Sequence, residues 1–212
     1  MAALKKYACK LLFITILMII MSSCSTVPML HVNYRTPDIT DQLKGKRVFL
    51  DVRDVRSDKE MMGSGAKEDF ANISETISLS VAEGNDKGFK VGIFTVTDLM
   101  KEVFKERMKG LGLDVVTDIS SRGQEPTVIV DIQTFKLDKI TGTVKRTWTA
   151  KMAYSVEISG NGKTLASNRI SGESEKLKIL SRKEADSLMS DLVTDLVNRL
   201  NVEALFKEAG II

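Results

Sequence analysis

The sequence predicts an α+β domain: a two-layer sandwich, a mainly antiparallel sheet with two helices packed on one face. Three observations carry this. Residues 126–175 read as long alternating strands joined by tight turns. Two segments, 98–110 and 185–200, place apolar side chains at three- and four-residue spacing. The strands come in runs instead of alternating strictly with helices, which favours segregated helices over a parallel α/β fold.

The chain opens with Lys5, Lys6 and Lys10, then the apolar run Leu11–Ile20, then Met21-Ser22-Ser23-Cys24. A basic start, a short apolar core and small residues before a cut site form a secretory signal peptide. The run is too short for a bilayer, which takes roughly 20 residues. The last four residues resemble the bacterial lipobox. The resemblance implies transfer of a diacylglycerol to the Cys24 thiol, cleavage just before Cys24, acylation of the new amino group (palmitate among the chains), and membrane attachment by more than one chain. By the same resemblance Ser25 and Thr26, in place of an Asp, imply sorting to the outer membrane with the domain facing the periplasm.

The organisation expected is therefore signal peptide 1–23, lipidated N-terminus and tether 24–45, and a single periplasmic domain 46–212. Pro28 and Pro37 disfavour helix in the tether, and Leu30–Tyr34 admits an extended segment. Twenty residues reach at most about 65 Å, so this reading lets the domain stand off the membrane.

Within the domain, Val48, Leu50 and Val52 alternate with Phe49, Asp51 and Arg53 as a strand, and the polar, glycine-containing stretch 56–70 reads as a loop. Ile77, Leu79 and Val81 alternate again; 85–88 turns, and Phe89–Phe94 is a short partner strand. Thr97 is the expected N-cap of a first helix from Asp98 to Gly110, with Leu99, Met100, Val103, Phe104 and Met108 on one face. Residues 113–116 form a short strand. The strand from Thr127 to Ile140 slips its apolar phase near Thr134, as at a bulge. The next strand puts Trp148, Ala150, Met152, Tyr154, Val156 and Ile158 on one face, and Gly160–Lys163 is a hairpin turn into a returning strand. Ser181 and Glu184 have capping-box spacing before the last helix, whose stripe is Ala185, Leu188, Met189, Leu192, Leu196 and Leu200.

This order of features resembles the YajG-type family of bacterial lipoproteins. The likeness rests on "VFLDVRD", "VTDLMKEVFKERMKGLGLDVV", "PTVIVDIQTFKLDKITG", "KMAYSVEISGNGKTL" and "ADSLMSDLVTDLVNRL". It implies an address in the cell envelope and a fold, and it carries over no catalytic residue, cofactor or metal ligand. The function expected is a non-enzymatic binding or accessory domain. The alternative is an accessory role in lipid or lipopolysaccharide transport or assembly.

Composition narrows the partners. The chain has 31 Lys plus Arg against 28 Asp plus Glu. Removing Lys5, Lys6 and Lys10 with the signal peptide makes the mature chain formally neutral, so its charge gives no ground for nucleic-acid binding. Of two cysteines, Cys9 leaves and Cys24 carries lipid, so no disulfide is expected. His31 is the only histidine, and a lone ligand fills no metal shell. The stretch Gly160–Thr164 lacks the first glycine of a phosphate loop, since Glu157 stands there, and it joins two strands. The surviving contact candidates are Met61 and Met62 in the loop, where adaptable side chains suit a protein partner, and the wet strand face with Lys145, Thr147, Thr149 and Lys151, near Lys136 and Lys139, which suits anionic lipid or glycan. For both, plain core packing or a solvated face is the competing expectation.

Overall fold

The computed structural model describes residues 29–70, 75–83, 88–141, 146–177 and 182–212. Among the described residues, eight strands and four α-helices follow in the order β1 (Leu30–Thr36), β2 (Arg47–Asp54), α1 (Ser64–Asp69), β3 (Ile77–Glu83), β4 (Phe89–Phe94), α2 (Val96–Lys109), β5 (Asp114–Val116), β6 (Thr127–Thr141), β7 (Arg146–Gly160), β8 (Lys163–Leu177), α3 (Arg182–Arg199) and α4 (Val202–Glu208). The α+β class is as expected. The single sheet is instead two: a three-stranded sheet ordered β1-β3-β4 and a five-stranded sheet ordered β5-β2-β6-β7-β8. Both are mixed. β1–β3, β2–β5 and β2–β6 pair parallel, whereas β3–β4 and the β6–β7–β8 meander are antiparallel. Helices α2 and α3 each touch strands of both sheets, so they join the sheets around one core.

Local chemistry explains the elements. In α2 the N-cap is Thr95, two residues before the expected Thr97: the Asp98 N–H donates to Thr95 Oγ1 at 3.2 Å and the Thr95 hydroxyl donates to Asp98 Oδ2 at 2.8 Å. This reciprocal pair meets an orphan donor of the first turn. Leu99, Met100, Val103, Phe104 and Met108 are all buried, as their spacing predicts. The phase slip in β6 is a bulge: register shifts between Ile132 and Thr134. Val128, Val130 and Ile132 face the core before it; Phe135 and Leu137 face the core after it. The extra residue thus keeps one face apolar while β7 continues with even-numbered side chains inward. The β7–β8 turn has Asn161 and Gly162 at φ 52° and 75°, the left-handed pair that a two-residue hairpin takes.

Tyr154 lies near the centre of the core. Its ring meets Phe104 edge to face at 5.2 Å, and its hydroxyl donates to the Leu196 carbonyl of α3 at 2.7 Å. Gly172 of β8 faces the same helix. A Cβ built there would stand 2.6 Å from Leu196 Cδ2, so the closeness of α3 to β8 depends on glycine.

Candidate functional site

Cys24, Ser25 and Thr26 lie outside the described residues, as do Lys145 and Ser181. The geometry just after them revises the tether. Met29 is described, and Leu30, Val32 and Tyr34 are fully buried on β1, paired residue by residue with β3 from Leu30–Ile77 to Thr36–Glu83. Residues 37–45 are also held: Thr40 N–H donates to the Gly110 carbonyl, Leu43 N–H to the Leu111 carbonyl, and Leu43 is buried. The folded domain therefore begins by Leu30, where the sequence reading placed its start at 46. Pro37 directly follows a strand instead of marking loose chain.

The outer edge of β1 is closed by α3. Backbone N–H groups of His31, Asn33 and Arg35 donate to Asp186 Oδ1 at 2.9 Å, Ser190 Oγ at 2.9 Å and Thr194 Oγ1 at 3.3 Å. Asn198 completes the row: its Nδ2 donates to the Arg35 carbonyl at 2.9 Å, and its Oδ1 accepts from Tyr34 Oη at 2.8 Å. Four helical residues rise about 6 Å and two strand residues about 6.6 Å, so the two repeats stay in step over this length. Open strand donors are a liability at a sheet edge, and here polar helix side chains meet them. The sequence reading missed this row. Its signal was present as Asp186, Ser190, Thr194 and Asn198, a short polar residue every fourth position beside the apolar stripe. Strand β1 is thus held on both edges, by β3 and by α3.

The predicted contact residues fare differently. Met61 and Met62 are 0% and 1% exposed, so they are core and not a partner surface. The chain leaves β2, then pairs again with β6: Leu137 N–H donates to the Met61 carbonyl and Gly63 N–H to the Leu137 carbonyl. Both methionine side chains are buried beside that pairing. It also leads into α1, a helix inside the predicted loop, whose Gly65 and Ala66 N–H groups are met by Asp138 Oδ1 at 3.2 and 3.3 Å.

The expected wet face is broken. Thr149 is 1% exposed and Thr147 is half-buried. Lys151 is exposed but lies 2.9 Å from Glu173 across the β7–β8 ladder. Lys136 pairs with Asp58. The bulge turns Lys139 to the inner face of β6, where it is buried with Nζ 3.4 Å from Glu68. Among the described residues of this face, Lys136, Lys139 and Lys151 each stand beside a carboxylate.

A cleft of about 440 Å³ is lined by Asp54, Arg56, Lys59, Glu60, Glu75, Thr95, Val96 and Thr97. The buried Arg56 grips Asp54 through Nε at 2.9 Å and Nη2 at 2.8 Å, and its Nη1 donates to the Phe135 carbonyl at 3.2 Å. Lys59 Nζ stands 3.0 Å from the same carboxylate. The Arg56 hydrogen bond holds the Asp54 carboxyl far below the usual carboxylate range, against the opposing effect of burial. This set locks the end of β2 onto β6. Among the described residues no group of three or more His, Cys, Asp and Glu side chains could hold a metal, and no helix is long and apolar enough to cross a membrane.

The described residues form an α+β fold whose first strand enters the core at Leu30. No family model matches the chain, and no curated protein matches it. Its fold is shared with a Xanthomonas campestris protein of family DUF330, at TM-score 0.53 and 12% identity, over 86% of this chain and 96% of that one. The minor lipoprotein of Acinetobacter baumannii aligns at TM-score 0.41 and 8% identity over 78% of this chain and 92% of its own. Rare lipoprotein B of Shewanella oneidensis aligns at TM-score 0.40 and 10% identity over 77% and 98%.

Proposed function

We propose that the chain is a bacterial envelope lipoprotein, acylated at Cys24, whose domain acts without catalysis as a binding or accessory module on the periplasmic side of the outer membrane. The carrying observation is the sequence Met21-Ser22-Ser23-Cys24 placed five residues before a strand that is buried in the core and clamped by α3. An anchor on such a strand holds the whole domain, because β1 lies between β3 and α3 along its length. Ser25 and Thr26 supply the outer-membrane sorting signal in this reading. Expression of wild type and Cys24→Ser in a two-membrane bacterium tests it. Wild type is expected in outer-membrane fractions and Cys24→Ser in the soluble periplasm. Equal membrane association of the two forms would contradict the anchor.

A further inference from the structure

Resting on the acylation of Cys24 proposed above, we infer that the rim of the domain around the start of β1 lies directly on the phospholipid leaflet, with Ile93, Ile140 and Leu177 entering its surface. The constraint is covalent. Four residues, 25–28, separate Cys24 from Met29. Five residue steps reach at most about 18 Å, against about 65 Å for a tether running to residue 45. The acylated cysteine stays at the headgroup level, so the point where β1 begins stays within that reach of the membrane.

Among the described residues, the rim around that point carries three exposed aliphatic side chains set between charged ones such as Lys176 and Lys183. His31, Ser78 and Ile93 form one cross-strand row of the small sheet, which puts Ile93 two strands, about 10 Å, from the chain entry. Ile140, Thr147 and Leu177 form the corresponding end row of the large sheet. The first turns of α3 tie the two rows to one end of the molecule: Asp186 accepts from His31 N–H, and Glu184, two residues earlier, lies 3.7 Å from Lys176 Nζ. Ile93, Ile140 and Leu177 are 51%, 57% and 61% exposed. Aliphatic side chains on a surface held at the headgroup boundary gain by entering it, and the acyl anchor has already brought them there.

The test uses the full lipidated chain in phosphatidylcholine vesicles. Acylation blocks Cys24, so each of Ile140→Cys, Leu177→Cys and Leu165→Cys carries one reactive thiol for a polarity-sensitive fluorophore. Leu165 is a partly exposed control near the opposite end of β8, about 40 Å from Leu177. Aqueous iodide is expected to quench positions 140 and 177 about threefold less than 165, as for groups at the acyl boundary. A long Gly/Ser insertion after Thr26 should abolish part of that protection. Equal quenching at all three positions, with acyl mass confirmed on Cys24, would overturn the inference and leave the lipoprotein reading intact. Protection of 140 and 177 in a lipid-free Cys24→Ser chain would overturn it in favour of a second copy on the rim. A Cys24 without acyl mass would remove the reading and the inference together.

Discussion

The Asn33 backbone N–H donates to the Ser190 hydroxyl at 2.9 Å, the middle bond of the row that fastens β1 to α3. Ser190 in turn donates to the Asp186 carbonyl one helical turn earlier, at 2.6 Å, which sets the hydroxyl for Asn33. The bond joins positions 157 residues apart, so it reports tertiary structure and not local preference. Ser190→Ala leaves a strand donor without its partner and is expected to cost about 1–2 kcal/mol in urea denaturation. Ser187→Ala, on the exposed side of the same helix, is expected to change stability by less than about 0.5 kcal/mol. Equal effects for the two would mean that the row does not secure the strand.

Gly172→Val tests the contact between β8 and α3. The new side chain would overlap Leu196 in a packed core, and overpacking of this kind typically costs about 1–3 kcal/mol. Gly162→Asn is the matched control, since a Cβ there meets nothing within 4 Å and Asn tolerates its φ of 75°. The thermal midpoint should fall for Gly172→Val and stay near wild type for Gly162→Asn.

Met62→Ala separates the core and partner readings of the methionine pair. Removal of a fully buried Met leaves a cavity and is expected to cost about 2–4 kcal/mol in the isolated domain. A partner-contact Met would lose binding and leave the unfolding curve in place.

Asp54→Asn carries a pH signature. The wild-type carboxyl has a lowered pKa in the folded protein, first through the Arg56 hydrogen bond, so its contribution is fully present above the unfolded carboxylate value of about 4 and is lost as pH falls below it. Asn does not titrate and leaves the buried Arg56 without its anion. The variant should be about 2–4 kcal/mol less stable at pH 7, with the gap narrowing as the pH drops from 4. A gap independent of pH would show that the carboxylate charge is not what Arg56 requires.

The sequence disclosed the parts whose cause is local. The stripes of α2 and α3, the bulge beside Gln133 and the Asn161-Gly162 turn all follow from periodicity or a left-handed pair. What it hid depends on distant chain. The parallel pairing of β1 with β3 has no turn to announce it, so Leu30, Val32 and Tyr34 read as tether between two prolines. Helix α1 contains Gly65, follows Gly63 and forms against Asp138, more than 70 residues away. Thr149 is inside, although strict alternation on β7 assigns it to the wet face. At the candidate site, the polar row of α3 was legible as a short polar residue every fourth position and was not read. The row becomes meaningful once β1 is known to lie beside it.

The most direct measurement is the intact mass of the chain purified from bacterial membranes, with fragmentation of its N-terminus. The expected species begins at Cys24, spans 189 residues to Ile212, and carries the added mass of a diacylglycerol and an amide-linked acyl chain on that cysteine. A mature N-terminus at any other residue, or a Cys24 whose thiol reacts freely with maleimide, would contradict the anchored domain proposed here.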